Sequence, residues 1–525
     1  MNNKENAMPP RRIFTGTSYF PTLRENQTVY VDKTAIIHRM VNADTAFFLS
    51  RPRRFGKSLL VTTLEAYFQG RKALFEGLAV EKLEKDWPEH PVLRFDMSGT
   101  RYVQPANLEE RLNVMLSQYE QIYGRESYAT EPGSRLNSLI RRAKKEKRRD
   151  VVVLIDEYDA PLLDAVTDAA SFERLRVMLR AFYSPLKESA EHLRFVFLTG
   201  ITKFSQLSIF SELNNLGIIS MRDEYAAICG ITEAEIREQM RPEVEALAEK
   251  YGVDFEAAMT MLKHKYDGYH FSKNSPDIYN PYSLLNCLKD RELDNYWYGS
   301  GTPTHLTEML SRYTLRPEEL EGFYADAAMF DAPTEKAESP IPVLYQSGYL
   351  TIKGSMGSAY LLGFPNEEVR LGFLRGLMPY YSKSTGNGDS VFLLNLTMAL
   401  MQHDPEKAMQ LLRSFFSSIP YDAERQDEAH YKTMFYLIFR LAAAFEVRTE
   451  ERSAAGRCDA VVATRDAVYV FEFKLRGTAR EALAQIDDRG YMIPYEADGK
   501  RLYKIGACFD DELKTLKEWL VVACS

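Results

Sequence analysis

The chain has 525 residues, 45% of them hydrophobic and 27% charged, with a formal net charge of −8. That balance is ordinary for a globular protein of three or four domains, and the acidic excess argues against broad, nonspecific coating of nucleic acid. No run approaches the ~20 apolar residues a bilayer span needs, and Met1 to Arg12 lacks an apolar signal core; the five cysteines (Cys229, Cys287, Cys458, Cys508, Cys524) are too scattered for a disulfide framework or a C-x-x-C metal site, so a cytoplasmic protein is expected.

In chain order, residues 1–45 read as a lead-in that carries a compact polar knot, Tyr30-Val-Asp-Lys-Thr34. Ala46 to Ser50 reads as a short buried strand, and Leu59 to Gly70 has apolar residues at helical spacing. Between them, Ser50-Arg-Pro-Arg-Arg-Phe-Gly-Lys-Ser58 ends as a phosphate-binding loop, G-x-x-x-x-G-K-[ST], with Arg51 where the first glycine belongs. In that context Gly56 and the helix N-terminus hold phosphate oxygens, Lys57 neutralises charge, and Ser58 reaches Mg²⁺. Arg53 and Arg54 are added as possible phosphate ligands. The plain alternative is a basic loop capping a helix.

Further strands support the first reading. Pro91 to Asp96 is one; Val151 to Ile155, apolar on both faces and ending in Asp156 and Glu157, reads as a central parallel strand. Acids there lie where ligands bind in open α/β sheets, with Asp156 holding Mg²⁺ through water and Glu157 polarising the attacking water. Arg194 to Gly200 ends in Thr199, a candidate γ-phosphate sensor followed by Thr202 and Lys203, and Leu216 to Met221 supplies a fifth strand. Strands alternating with helices across residues 46–229 predict a doubly wound parallel sheet. The basic run Arg141 to Arg149 reads as a solvated helix end rather than a DNA site.

After Gly230 the spacing predicts helices over Thr232 to Leu247, Asp254 to Tyr266 and Asn280 to Lys289, with the aromatic Tyr266-Asp-Gly-Tyr-His-Phe271 packed between them. Ile341 to Tyr345, Tyr349 to Lys353 and Ala359 to Leu362 read as strands around a Gly354-Ser-Met-Gly357 turn. Helices flanking a hairpin suggest a winged-helix-like lid and connector over residues 230–380.

The remaining segment, residues 381–525, contains a second chemical centre. Arg457 to Ala463 and Ala467 to Lys474 are β runs joined by Thr464-Arg-Asp466. A two-residue turn at Arg465-Asp466 sets position 459 opposite 472, with β-carbons ~5 Å apart. Asp459 and Glu472 at that spacing repel unless a cation, Mg²⁺ or Mn²⁺, sits between them. Lys474, on the same strand face as Glu472, would position water or stabilise developing charge. The competing reading is a surface hairpin with charges paired across strands, but the apolar residues on both faces of the second strand argue for burial. Glu428, opening a helix, and Gln485, on the helix after Lys474, are candidate additions; each could equally be an ordinary helix-surface residue.

The spacing D-x(12)-E-x-K, with the loop and strands upstream, resembles bacterial and archaeal proteins that join an AAA-ATPase-like domain to a C-terminal PD-(D/E)XK nuclease-superfamily domain. The resemblance spans nearly the whole chain. Its markers include Tyr30-Val-Asp-Lys-Thr34, the Ser50 to Ser58 loop, Leu154-Ile-Asp-Glu-Tyr-Asp159, Thr199-Gly-Ile-Thr-Lys203, Tyr266-Asp-Gly-Tyr269, Leu344-Tyr-Gln-Ser-Gly-Tyr-Leu350, Asp459, Glu472-Phe-Lys474 and Gln485. It implies a P-loop NTPase sheet and a restriction-endonuclease-like α/β domain, ATP binding at Lys57, Ser58 and Asp156, and Mg²⁺-dependent phosphodiester hydrolysis at Asp459, Glu472 and Lys474. DNA is the favoured nucleic-acid partner, and defence or mobile-element biology a plausible setting by analogy. Cys458 stands where the nuclease pattern nominally has proline. The alternatives are a nucleotide-dependent switch whose nuclease-like fold grips DNA or a partner without cutting, and an ATPase acting as an interaction scaffold. Self-association into a homo-oligomer stays open, and Arg53, Arg54 and Arg194 are equal candidates for an arginine finger.

Overall fold

Short apolar runs that end in polar residues build the N-terminal sheet of the computed structural model, which describes residues 10–166, 168–203, 216–299, 313, 316–334, 337–382, 388–419, 428–442, 446–449, 452–453, 456–457, 459–474, 476–510 and 515–524. The chain divides into two units, Met1–Leu315 with Leu320–Arg370 and Arg316–Glu319 with Leu371–Ser525.

In the first unit, β1 (Ala46–Ser50), β2 (Val92–Asp96), β3 (Val151–Asp156), β4 (Leu193–Gly200) and β5 (Gly217–Ile218) form an all-parallel sheet in the order β2-β3-β4-β1-β5. Every residue of β3 is buried, which is why its sequence lacks the polar alternation of a half-exposed strand. On one face Phe48, Phe95, Val153, Ile155, Val196 and Leu198 join helix residues such as Leu112, Leu139 and Leu179 in one core. Phe195 points to the opposite face, where Phe68 of α1 (Lys57–Phe68) packs on it with ring centroids 5.1 Å apart. The sheet is therefore covered on both sides, as a doubly wound fold requires. Parallel strands also gather their carboxyl ends, so β4 places Thr199 and Gly200 beside Leu49 and Ser50, with the end of β3 on its other side. The fifth strand is shorter than expected, two residues, and lies on the sheet edge.

The helical segment that follows corrects two expectations. Thr232 to Leu247 is two helices, α2 (Glu233–Gln239) and α3 (Arg241–Tyr251), separated at Met240. Thr232 and Glu235 form a capping box at the start of α2, and Pro242 sits in the first turn of α3, where its missing N–H costs nothing. Then come α4 (Phe255–Tyr266), capped by Asp254, and α5 (Pro281–Asp290), capped by Asn280. Ile341 to Tyr345 belongs to a helix, α6 (Ile341–Gln346), not a strand. Its two prolines, Pro340 and Pro342, suit a helix start and cannot donate to a ladder. The third strand of that small antiparallel sheet is instead β6 (Phe323–Asp326), paired with β8 (Ala359–Gly363), which pairs in turn with β7 (Thr351–Met356).

The second unit holds a mixed sheet in the order β9-β10-β11-β12-β13: β9 (Glu446–Thr449), β10 (Ala460–Ala463), β11 (Ala467–Lys474), β12 (Arg501–Asp510) and β13 (Thr515–Cys524). The β10–β11 pair is antiparallel and β11–β12 parallel, which requires a crossover; α8 (Ala479–Asp488) lies in it. Alternation divides β11 between two layers. Val468 and Val470 pack with Ile486 of α8, whereas Phe471 and Phe473 pack on Phe439 and Phe435 of α7 (Glu428–Leu441). Among the described residues no helix is long and apolar enough to cross a membrane.

Candidate functional sites

The loop after β1 takes its shape from the backbone. Gly56 has φ of 89° and Arg54 of 69°, left-handed values that the first residue adopts freely and the second only when held. Lys57 is buried, and its Nζ donates to the carbonyls of Arg51 and Pro52, both at 3.0 Å. Burial lowers the pKa of its ammonium, opposed by the carboxylates of Glu157, Asp156 and Asp159. Arg51, in the place of the missing glycine, is turned inward. Its guanidinium donates to Ser50 O and, at 2.7 Å, to Ser220 O, and lies 4.1 Å from the centre of the Phe271 ring. It is a strut of the loop and does not face a cavity.

At the end of β3, Asp156 is buried, and burial raises its pKa in spite of a hydrogen bond from Ser58. Asp156 Oδ1 and Thr199 Oγ1 are both buried with no protein partner. Orphaned oxygens beside a buried lysine fit a cation and phosphate oxygens, which would satisfy them. Glu157 stands at φ of 51°, a conformation rare for a residue with a β-carbon, and burial raises its pKa too. Asp159 accepts from Ile201 N, Thr202 N and Thr202 Oγ1 and so ties the end of β4 to that of β3. Gly200 is obligatory there, because a β-carbon would lie 2.4 Å from Asp159 Oδ1. Arg194 opens β4 at the far end of the sheet, where it donates to Val41 O.

Two clefts meet at this point. The larger, about 620 Å³, runs from Lys57 and Ser58 past Lys33 and the Thr15 to Ser18 segment to Tyr282 of α5. The smaller, about 160 Å³, is lined by Ser98, Thr100, Asp159 and Asp164. Sequence reasoning missed several of these groups. Asp96 lies in register with Asp156 and adds to the charge around it, and its place at a strand's carboxyl end was the available signal. Lys33, which pairs with Glu235 at 2.6 Å, lies in the Tyr30 to Thr34 knot that the sequence marked without giving it a role, and Tyr282 reaches the cleft only through tertiary packing.

In the second unit the hairpin has the register a two-residue turn dictates: Thr464 N donates to Ala467 O, and Ala460 pairs with Phe471, so position 459 faces 472. Asp459 Oδ2 accepts from Phe473 N at 2.9 Å. Glu472 is 3% exposed, and its carboxyl is pushed up to about 7 by burial first and by the Asp459 charge second, with Lys474 opposing. Lys474 Nζ lies 3.4 Å from Glu472 Oε1 and 2.5 Å from Gln485 Oε1, and the Gln485 amide donates to the same Glu472 oxygen. Glu472 Oε2 is buried without a protein partner, the kind of acceptor a bound divalent cation would satisfy.

The framework explains why these groups meet. Glu472 and Lys474 continue the β11 face that α8 covers, and Gly506 pairs with Glu472 directly beneath that helix. A β-carbon at Gly506 would lie 2.4 Å from Ala479 O, so glycine is what lets α8 come close enough for Gln485 to reach. Glu428 opens α7, but its side chain lies outside the described residues, as does Cys458. Among the described residues no group of three or more His, Cys, Asp or Glu side chains forms a metal cluster.

A parallel sheet with a phosphate-loop geometry, joined in one chain to a mixed sheet carrying Asp, Glu and Lys on one hairpin, defines a P-loop ATPase-like protein with a nuclease-type module. Comparison with known proteins agrees. The family model "Predicted AAA-ATPase" matches residues 14–210, and that of the PD-(D/E)XK nuclease superfamily matches residues 426–519. An "Uncharacterized protein in vnfD 5'region" of Azotobacter chroococcum mcd 1 is 34% identical over 534 residues, covering 98% of this chain and 99% of the relative. The chain belongs to the family of predicted AAA-ATPases that carry a C-terminal PD-(D/E)XK nuclease-superfamily domain. Such domains typically use a nucleotide and a divalent metal.

Proposed function

We propose that the protein is an ATP-regulated nuclease: the first unit binds and hydrolyses ATP, and the second cuts nucleic-acid phosphodiesters with Mg²⁺ or Mn²⁺. The observation that carries this reading is Glu472, a buried carboxylate with one oxygen unpartnered, opposite Asp459 and beside Lys474. A carboxylate placed there is costly unless a cation uses it. When bound, the metal would supply Lewis acidity toward a phosphoryl oxygen. Asp459 and Glu472 would hold it, Gln485 fixes the rotamer of Glu472, and Lys474 keeps a positive charge where the phosphate charge grows. In the first unit, Lys57 would leave its loop carbonyls for the phosphates, Ser58 and Asp156 would face the nucleotide-bound cation, and Thr199 the γ-phosphate. Glu157 would take the proton of the attacking water. Arg53 and Arg54 line the larger cleft with them.

In this reading residues 46–229 are the ATPase proper, 1–45 its lead-in, 230–380 a lid and connector, and 381–525 the nuclease-like domain. A cytoplasmic site of action suits the free thiols Cys229, Cys287 and Cys508, and DNA is the favoured substrate; defence against foreign DNA is a setting such a machine would serve. The test is incubation of the full chain with single- and double-stranded DNA and RNA in Mg²⁺ or Mn²⁺. Cleavage that a chelator abolishes and Lys474→Ala removes supports the proposal. Metal-dependent binding without cleavage of any substrate would favour the gripping alternative.

A further inference from the structure

We infer, on the basis of the ATPase reading above, that Arg53 supplies within the same chain the positive charge on the transferring γ-phosphoryl group, the part an arginine finger plays in other P-loop enzymes. Two residues, Arg53 and Glu157, line both the larger cleft and the smaller one, so they form the wall between them. On one side of that wall lie Lys57 and Ser58; on the other lie Ser98, Thr100, Asp159 and Asp164, which make a small hydroxyl- and carboxylate-lined chamber suited to water. A cation and a base at the junction of a phosphate loop and a water chamber are placed where hydrolysis needs them.

The rest of the loop is already committed. Arg51 is bound to the Ser220 carbonyl and stacked on Phe271. Pro52 packs so closely on Gly348 that a β-carbon there would lie 2.6 Å away. Arg54 lies over the Tyr282 ring at 4.6 Å. Phe55 packs edge-on against Tyr269 at 4.7 Å and Phe271 at 5.2 Å, and its carbonyl accepts from Gly230 N. Among the described residues Arg53 alone of the three loop arginines is exposed with no side-chain contact of this kind. Its neighbours are nailed to the helical segment on either side, so its backbone is fixed while its guanidinium is free to engage a ligand. Arg194, at the opposite end of β4, cannot serve within the same chain.

The step balances simply. The oxygen of water bonds to the γ-phosphorus as the bond to the β,γ-bridging oxygen breaks, Glu157 takes the water proton, and ADP and phosphate leave. Arg53 exchanges no proton and donates hydrogen bonds to the γ-oxygens as their charge grows.

The experiment uses the full chain and three readouts: phosphate release at saturating ATP, ADP binding by calorimetry, and trapping of ADP with aluminium fluoride. Arg53→Ala is expected to lower turnover by roughly 10³-fold or more and abolish trapping, while ADP affinity stays within about three-fold of wild type. Arg53→Lys restores little, since an ammonium cannot donate the same planar pair of hydrogen bonds. Turnover per chain is expected to be independent of protein concentration across a wide dilution series. Normal hydrolysis by Arg53→Ala overturns the inference, and so does turnover that collapses on dilution, which would assign the arginine to a second copy. A wild-type chain that binds no ADP overturns the ATPase reading itself, and this inference with it.

Discussion

The two candidate sites both bring buried charges together, by different means. The loop site is made by backbone: left-handed φ at Arg54, Gly56 and Glu157, parallel strand ends in register, and carbonyls that cage Lys57. Its residues come from segments between Thr15 and Tyr282. The hairpin site is made by side chains, with Asp459, Glu472 and Lys474 on the β10–β11 hairpin tied to Gln485 on the helix that follows. Both use burial to raise the pKa of a carboxyl, Asp156 and Glu157 in one and Glu472 in the other. The difference teaches where each is vulnerable: the first to anything that moves the chain trace, the second to the loss of a single polar atom or to a shift of α8.

The largest expected effect breaks the loop site alone. Lys57→Ala removes the buried cation among three carboxylates, and ADP binding should weaken by roughly 10²-fold or more by calorimetry while the hairpin site is untouched. A smaller and opposite test concerns Glu472. Its pKa rises from 4.5 unfolded to about 7 folded, so between those values the folded chain holds a proton the unfolded chain has lost. Stability of the second unit should therefore fall as pH rises through that window and level off above it, by at most about 3 kcal/mol. Glu472→Gln should remove that slope and leave the variant more stable than wild type at pH 8, measured by urea unfolding across pH 4 to 8. If Glu472 holds the metal as proposed, cleavage should rise through the same window, since the ionised carboxylate would be the form that binds it. Smallest, Gly506→Ala should cost about 1–3 kcal/mol through the clash with Ala479 O and lower cleavage by lifting Gln485 from Glu472, with nucleotide binding unchanged.

What the sequence made legible follows from the same contrast. Sheet strands such as Val151–Asp156 could be read because a fully buried parallel strand is continuously apolar. The hairpin register could be read because a two-residue turn fixes every pair above it. Ile341 to Tyr345 misled because a short apolar run has no period of its own, and only the prolines at its start, Pro340 and Pro342, separate helix from strand. The inward turn of Arg51 was illegible, since its partners Ser220 and Phe271 lie far along the chain. Asp96, by contrast, was within reach: it closes a predicted strand in the manner of Asp156.

The central claim is that one chain cuts at Glu472 under the control of Lys57. The most direct measurement is the Mg²⁺-dependent cleavage rate of the full chain with and without ATP, in wild type, Lys57→Ala and Glu472→Gln. Under the proposed function wild type cuts at a rate that ATP changes, Lys57→Ala cuts at a rate indifferent to ATP, and Glu472→Gln does not cut. Cleavage by Glu472→Gln at the wild-type rate, or an ATP response that survives Lys57→Ala, would contradict it.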